Sequence, residues 1–361
     1  MGVFLLSACS TPIASSDLGP NPTEFIATRV VEILTQSAAL SRTPIPTSVE
    51  TTPAQTLATR ILPTMGATVT PLATPGLTHT PGTPCSDLDC VRAAEHFWLE
   101  RPIAADYVDD VERTYPYGST QGGLREPHHG VEFENRSGTP IVAAAPGIVI
   151  AARNDSVIAY GPALGFYGNL VVVRLDNQYQ YHGQPVYNLY AHLQEMLVKE
   201  GQRVKVGDTL GAVGFTGIAI GPHLHFEVRV GENDYASTRN PELWLKPHTY
   251  NGQPWGVIAG RVVDTDGNLV PGLTVVVRPV AIDYDVQRNH YLATYAQETL
   301  NGDDLLQENF AIGDLPLGTY TVSVNTTKPY QETVTVEAGH IAWVTFVVNP
   351  PYPTETPTPT P

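Results

Sequence analysis

The sequence predicts a mainly β fold in two parts, carried behind a long flexible tether, and three observations lead there. Apolar residues recur in short alternating runs between about residues 140 and 348, separated by Gly, Asn and Pro; this is the period of strands with one buried face. The 361 residues include 31 Gly and 32 Pro but only 16% charged residues, which argues against coiled coils and long helical bundles. Thr and Pro crowd both ends: residues 41–84 alone hold 13 Thr and 8 Pro, too little apolar surface to offset the entropy of ordering. The length exceeds what one core usually organises. A net charge of −16 at pH 7 leaves no electrostatic footprint for a phosphate backbone, so no nucleic-acid partner is expected.

No run of about 18 apolar residues exists, so no spanning helix is expected. Met1-Gly2-Val3-Phe4-Leu5-Leu6-Ser7-Ala8-Cys9 closes a short apolar stretch with small residues and a cysteine. Residues 1–9 resemble the end of a bacterial lipoprotein signal with its lipobox. The resemblance implies a lipid on Cys9 and an extracytoplasmic protein anchored to a bacterial membrane. Two other thiols remain, Cys85 and Cys90; outside the cytosol an even pair reads as one disulfide closing a short loop, with free thiols as the alternative. Residues 10–84 read as a Thr/Pro-rich tether with a span of roughly 50 Å. Its one foldable stretch is a short helix capped by Thr23, with Ile26, Val30, Ile33 and Leu34 on one face.

Residues 85–247 form the first β part. Pro140 to Ala152, Asn169 to Leu175, Val186 to Leu193, Val204 to Val213 and His223 to Val230 read as strands between turn signals. The last carries Gly221-Pro222-His223-Leu224-His225-Phe226-Glu227-Val228, which places His223, His225 and Glu227 on one face and Leu224, Phe226 and Val228 on the other. Two imidazoles side by side above an apolar underside suit zinc. Two further clusters join them: Arg125-Glu126-Pro127-His128-His129-Gly130-Val131-Glu132, with a histidine and a carboxylate four apart, and Leu189-Tyr190-Ala191-His192-Leu193.

Together with Val204-Lys205-Val206-Gly207-Asp208 and Gly214-Phe215-Thr216-Gly217, these motifs resemble the lysostaphin-type (LytM-like) zinc endopeptidases across roughly residues 117–232. The resemblance implies an antiparallel β-sheet peptidase domain with a groove, one Zn2+ held by His128, Glu132 and His225, and catalytic roles for His192 and His223. It implies cleavage of a cell-wall peptide or peptidoglycan. The family pattern has Asp where this chain has Glu132. The longer side chain keeps an anionic oxygen but shifts its reach, so a catalytically degenerate module that binds cell wall or activates a partner hydrolase is the alternative. Tyr117 is expected to pack at a turn rather than serve the chemistry, and His129 to be exposed. Glu227 either supports a histidine from behind or lies on a solvated strand face with Arg229. His-Glu-x-x-His is absent, and no carrier lysine occupies the Val204 to Gly214 hairpin.

Residues 255–349 form the second β part. Val257 to Val263, the turn Asp264-Thr265-Asp266-Gly267-Asn268 and Leu273 to Val277 read as a hairpin, followed by strands at Gly318 to Val324 and Ile341 to Val348. Gly260-Arg261-Val262-Val263-Asp264, Gly267 and Leu315-Pro316-Leu317-Gly318-Thr319-Tyr320 resemble carboxypeptidase regulatory-like (transthyretin-like) sandwiches. That implies a C-terminal β-sandwich, expected to act as a separable spacer. Residues 350–361 read as a Thr/Pro-rich tail.

Overall fold

The computed structural model describes residues 84–350 apart from 86, 283, 285, 286 and 296–299. Cys9, the expected Thr23 helix, the tether up to residue 83 and residues 351–361 lie outside the described residues. Asp87 caps α1 (Leu88–Ala94), its carboxylate accepting from the Cys90 N–H at 2.9 Å. Cys85 and Cys90 are joined by a disulfide with their Cα atoms 5.4 Å apart.

Strands follow: β1 (Val131–Glu134), β2 (Pro140–Val142), β3 (Gly147–Asn154), β4 (Asn169–Leu175), β5 (Val186–Ala191), β6 (Leu193–Met196), β7 (Arg203–Val204), β8 (Thr209–Val213), β9 (His223–Val230) and β10 (Thr238–Arg239). A seven-stranded sheet runs β1-β9-β5-β4-β3-β7, with β10 also on β9, and a three-stranded sheet runs β2-β8-β6. Each pairing in the two sheets is antiparallel. Three of the expected runs are broken into two strands. Ala143 to Pro146 separate β2 from β3, the Gly207 turn separates β7 from β8, and His192, at φ 62°, ends β5.

Alternation along β9 decides what the large sheet offers on each side. Leu224, Phe226 and Val228 enter the main core with Phe133, Tyr190, Val171 and Val149. The opposite face carries a smaller apolar cluster, including Tyr167, Leu170, Val172, Leu189 and Ala191, together with the histidines of β9.

After the hairpin β11 (Thr249–Tyr250) and β12 (Gln253–Pro254) come β13 (Gly256–Val263), β14 (Thr274–Ile282), β15 (His290–Ala293), β16 (Phe310–Leu315), β17 (Gly318–Asn325), β18 (Pro329–Val336) and β19 (Ile341–Val347). They make two sheets, β16-β13-β19 and β15-β14-β17-β18, whose facing residues share one core; Ile258, Phe310 and Phe346 meet Val275, Val322 and Val324 there. The expected hairpin between β13 and β14 does not form. Asp264 does close the turn, its Oδ1 accepting from the Asp266 and Asn268 N–H groups at 2.9 Å. The chain then crosses to the other sheet, and β13 pairs with β16 antiparallel and with β19 parallel. The reason is in its side chains: Ile258 and Val262 fill the core between the two sheets, while Val257 and Ala259 belong to the main core of the first β part. A strand apolar on both faces takes a central place.

The same strand corrects the separable spacer. Val257, Ala259, Leu306, Ala311 and Ile341 pack in one core with Leu99, Trp244 and Leu245. Around that contact Arg113 bonds Glu242 and also donates to the Gly313 carbonyl at 2.9 Å, and Arg101 pairs with Asp314.

Candidate functional site

Register brings the first three candidates together. In the β1–β9 ladder Glu132 stands opposite His225 and Glu134 opposite His223, and directly paired residues project from the same face of a sheet. His128 lies just before β1, where its Nε2 is 3.1 Å from His225 Nδ1 and 3.7 Å from Glu132 Oε1. One donor atom from each of His128, Glu132 and His225 falls within 4.8 Å of the other two. Ligands of a tetrahedral metal at about 2.0–2.1 Å are roughly 3.3 Å apart, so this donor set fits such an ion. Gly130 makes the approach possible, because a Cβ there would stand 2.5 Å from the Phe226 carbonyl oxygen and 2.8 Å from His225 Nε2.

The hydrogen bonds of the imidazoles fix which nitrogen faces the centre. His225 Nε2 is 3.1 Å from Glu227 Oε1; a carboxylate accepts, so Nε2 carries the proton and Nδ1 turns its lone pair toward His128 and Glu132. His192 donates Nδ1–H to the Thr216 carbonyl, and His223 donates Nδ1–H to the Gly221 carbonyl, each at 2.8 Å. Both therefore keep Nε2 free. Their rings lie 4.8 Å apart, and His223 Nε2 is 3.5 Å from Glu132 Oε1. The left-handed backbone at His192 is a conformation that non-glycine residues seldom adopt; its N–H donates to the Tyr167 carbonyl at 3.0 Å.

Burial sets the charges. It is the main cause holding His128 well below an ordinary histidine pKa, with His225 adding to it; His192 is lowered likewise by burial and then by His223. Both are neutral at neutral pH, as a ligand or a base must be. Glu227 is fully buried. Burial alone would raise its pKa, but Arg229 and the bond from His225 outweigh it and bring it down to about 2. Arg229 donates Nε–H to Glu227 at 2.7 Å, and the Tyr167 hydroxyl donates to the other oxygen. An anion is thus kept directly behind His225.

The sequence profile of peptidase family M23 matches residues 126–237. This segment is an M23 peptidase domain. It is 36% identical over 104 residues to the peptidoglycan DD-endopeptidase ShyA of Vibrio cholerae, covering 29% of this chain and 20% of that protein. It is 39% identical over 108 residues to an uncharacterized metalloprotease of Haemophilus influenzae, covering 30% and 20%. Among solved structures, the catalytic domain of lysostaphin from Staphylococcus simulans is 28% identical, with a TM-score of 0.31, covering 38% of this chain and 95% of that one. The chain spans about a fifth of the length of the two curated relatives.

Within the M23 domain His128, Glu132, His192, His223 and His225 all reach one place. Glu227 takes the supporting position behind His225, and the solvated-face alternative falls because Glu227 and Arg229 are both buried. Tyr117 packs at its turn, its hydroxyl 3.1 Å from the carbonyl oxygens of Thr238 and Asn301. His129 departs from expectation. Neighbours on an extended segment point to opposite sides, so His129 faces away from His128 and is covered by Tyr235, stacked 3.6 Å away, with Nδ1 2.9 Å from Thr238 Oγ1. That burial lowers its pKa to about 4. Two side chains are not singled out by the sequence, Tyr115, stacked 4.2 Å from His128, and Tyr167; Thr216 lies in the Gly214-Phe215-Thr216-Gly217 motif, but nothing there indicates that its carbonyl holds His192. Only the fold brings them to the histidines.

Proposed function

We propose that this chain is a zinc-dependent endopeptidase that hydrolyses peptide bonds in cell-wall peptidoglycan or a related extracellular peptide. The observation that carries the reading is the convergence of the His128, Glu132 and His225 donors with two further histidines whose Nε2 atoms are free. Zinc bound there supplies Lewis acidity and lowers the pKa of water toward 7. His192 Nε2 is a neutral lone pair suited to accept the proton of an attacking water and return it to the leaving amine. His223 Nε2, a second lone pair beside it, accepts from the water and so orients it, and donates to the developing oxyanion only once it has taken up a proton. Glu227 holds His225 in the tautomer that directs Nδ1 inward. The likeness to the Vibrio peptidoglycan DD-endopeptidase supports the peptidoglycan substrate.

The proposal extends to the whole chain: residues 85–247 as the peptidase, 255–349 as a carboxypeptidase regulatory-like sandwich packed against it, and residues 10–84 as a tether from a lipid on Cys9 to an extracytoplasmic domain. Membrane fractionation of Cys9→Ala tests the anchor, and retention in the membrane removes it. A second reading, a non-catalytic module, draws on Glu132: its oxygen is 3.5 Å from His223 Nε2, so the longer carboxylate reaches toward a histidine assigned to proton transfer.

Zinc analysis combined with turnover of purified peptidoglycan separates the two. The full chain should carry one zinc and release peptides. His225→Ala should lose the metal, whereas His192→Ala should keep it and lose at least 100-fold in rate. Zinc retained in both variants removes the ligand assignment, and a zinc-replete but inactive parent favours the second reading.

A further inference from the structure

His128 is held from the N-terminal side by a short strap, residues 115–119. The Gly118 N–H donates to the His128 carbonyl at 2.8 Å and the His128 N–H donates to the Ser119 carbonyl at 3.0 Å. Tyr115 lies flat on the imidazole, 10° from parallel. What stands behind this strap comes from the second β part. Tyr295, two residues past β15, is buried and set edge-on to Tyr117 at 5.0 Å. A Cβ on Gly118 would meet Tyr295 Cδ1 at 2.4 Å, so ring and strap backbone are in direct contact. The ring cannot retreat: its hydroxyl accepts from Asn240 Nδ2 at 2.9 Å and donates to Glu308 Oε1 at 3.1 Å, and its own N–H donates to the Asn309 carbonyl at 2.7 Å. Asn301, in the same connector, donates Nδ2–H to the Ala236 and Thr238 carbonyls at 2.6 and 3.1 Å.

We propose that Tyr295 is a positioning residue for the metal centre: it braces the 115–119 strap and so fixes where His128 stands, making the second β part a structural component of the peptidase site. The consequence for the metal rests on the function proposed above; the bracing does not. Ligand positions matter at about 0.2 Å, and outer residues that orient ligands change metal affinity 10–100-fold. An unbacked strap lets His128 drift by more than that tolerance.

Two measurements on the full-length protein test this. Amide hydrogen exchange is followed at Gly118 and His128 in the metal-free state, and zinc affinity is measured by competition with a chelator. Tyr295→Ala should speed exchange at both amides at least 10-fold and weaken zinc binding by a similar factor. Tyr295→Phe, which keeps the ring, should restore most of both. Tyr295→Leu gives a milder version of the loss should the alanine variant fold poorly. Arg92→Ala, which cuts the exposed pair to Glu337 elsewhere on the same β part, should move neither. Unchanged protection at Gly118 and His128 in a folded Tyr295→Leu overturns the proposal. Faster exchange in a protein that takes up no zinc supports the bracing and removes the zinc reading instead.

Discussion

Gly130 has no room for a side chain, and the atoms that would block one are those of the site. The Phe226 carbonyl oxygen and His225 Nε2 sit 2.5 and 2.8 Å from where its Cβ would be. Backbone oxygen cannot swing aside, so Gly130→Ala must displace β1 or push His225 away from Glu227. We expect a loss of about 1–3 kcal/mol from overpacking and at least 10-fold weaker zinc binding, read from thermal unfolding and metal titration. An unchanged affinity would mean that the strand shifts without moving the ligand. At this scale the sequence was legible where chemistry repeats at fixed spacing: His223 and His225 two apart on a strand, His128 and Glu132 four apart. It was not legible where a partner arrives from a distant segment. Tyr167 reaches Glu227 from 60 positions away, and the ring covering His129 belongs to Tyr235; no local pattern marks either.

Among the elements, the connector from β15 to β16 holds an unusual pair of acids. Asp303 Oδ1 accepts from Tyr181 at 2.7 Å and from the Leu305 and Leu306 N–H groups at 2.9 and 3.1 Å. Its own N–H donates to Glu308 Oε2 at 2.8 Å. Burial first, and then the nearby Asp303, raise the Glu308 pKa to about 8. The sign follows from proton uptake. Between the ordinary glutamate range near 4.5 and about 8 the folded chain keeps a proton that the unfolded chain gives up, so the stabilisation is full below the lower value and is lost as pH rises through the upper one. The midpoint of thermal unfolding should therefore fall as pH rises from about 4.5 to about 8, and Glu308→Gln should flatten that fall. A variant as pH-sensitive as the parent would place the titration elsewhere. Alternation revealed β17 and β19 in advance, but not that this connector reaches back to Tyr181.

Across the whole molecule, the fold class was legible because strand alternation is local, whereas the union of the two β parts was not. Val257 and Ala259 look like any alternating strand until Trp244 and Leu245 are seen against them. Burying a large aliphatic side chain contributes about 1.5–3 kcal/mol, so losing Val257, Leu306 and Ile341 together removes about 5–9 kcal/mol, comparable with a domain's entire stability. A chain ending at Pro247 should accordingly unfold without cooperativity or aggregate, as calorimetry and size-exclusion chromatography will report. A well-folded truncated chain with full zinc content would restore the separable spacer.

The strand shared between two cores also sets an order in time. Chains are made from the first residue onward, and the histidines are complete by His225 while Ile341, on the strand that pairs with β13, comes more than a hundred positions later. At about 5–20 residues per second this is a delay of several seconds or more. A site built in this way stays unfinished while the chain is still being made, and its surroundings become rigid only once β19 has been added beside β13.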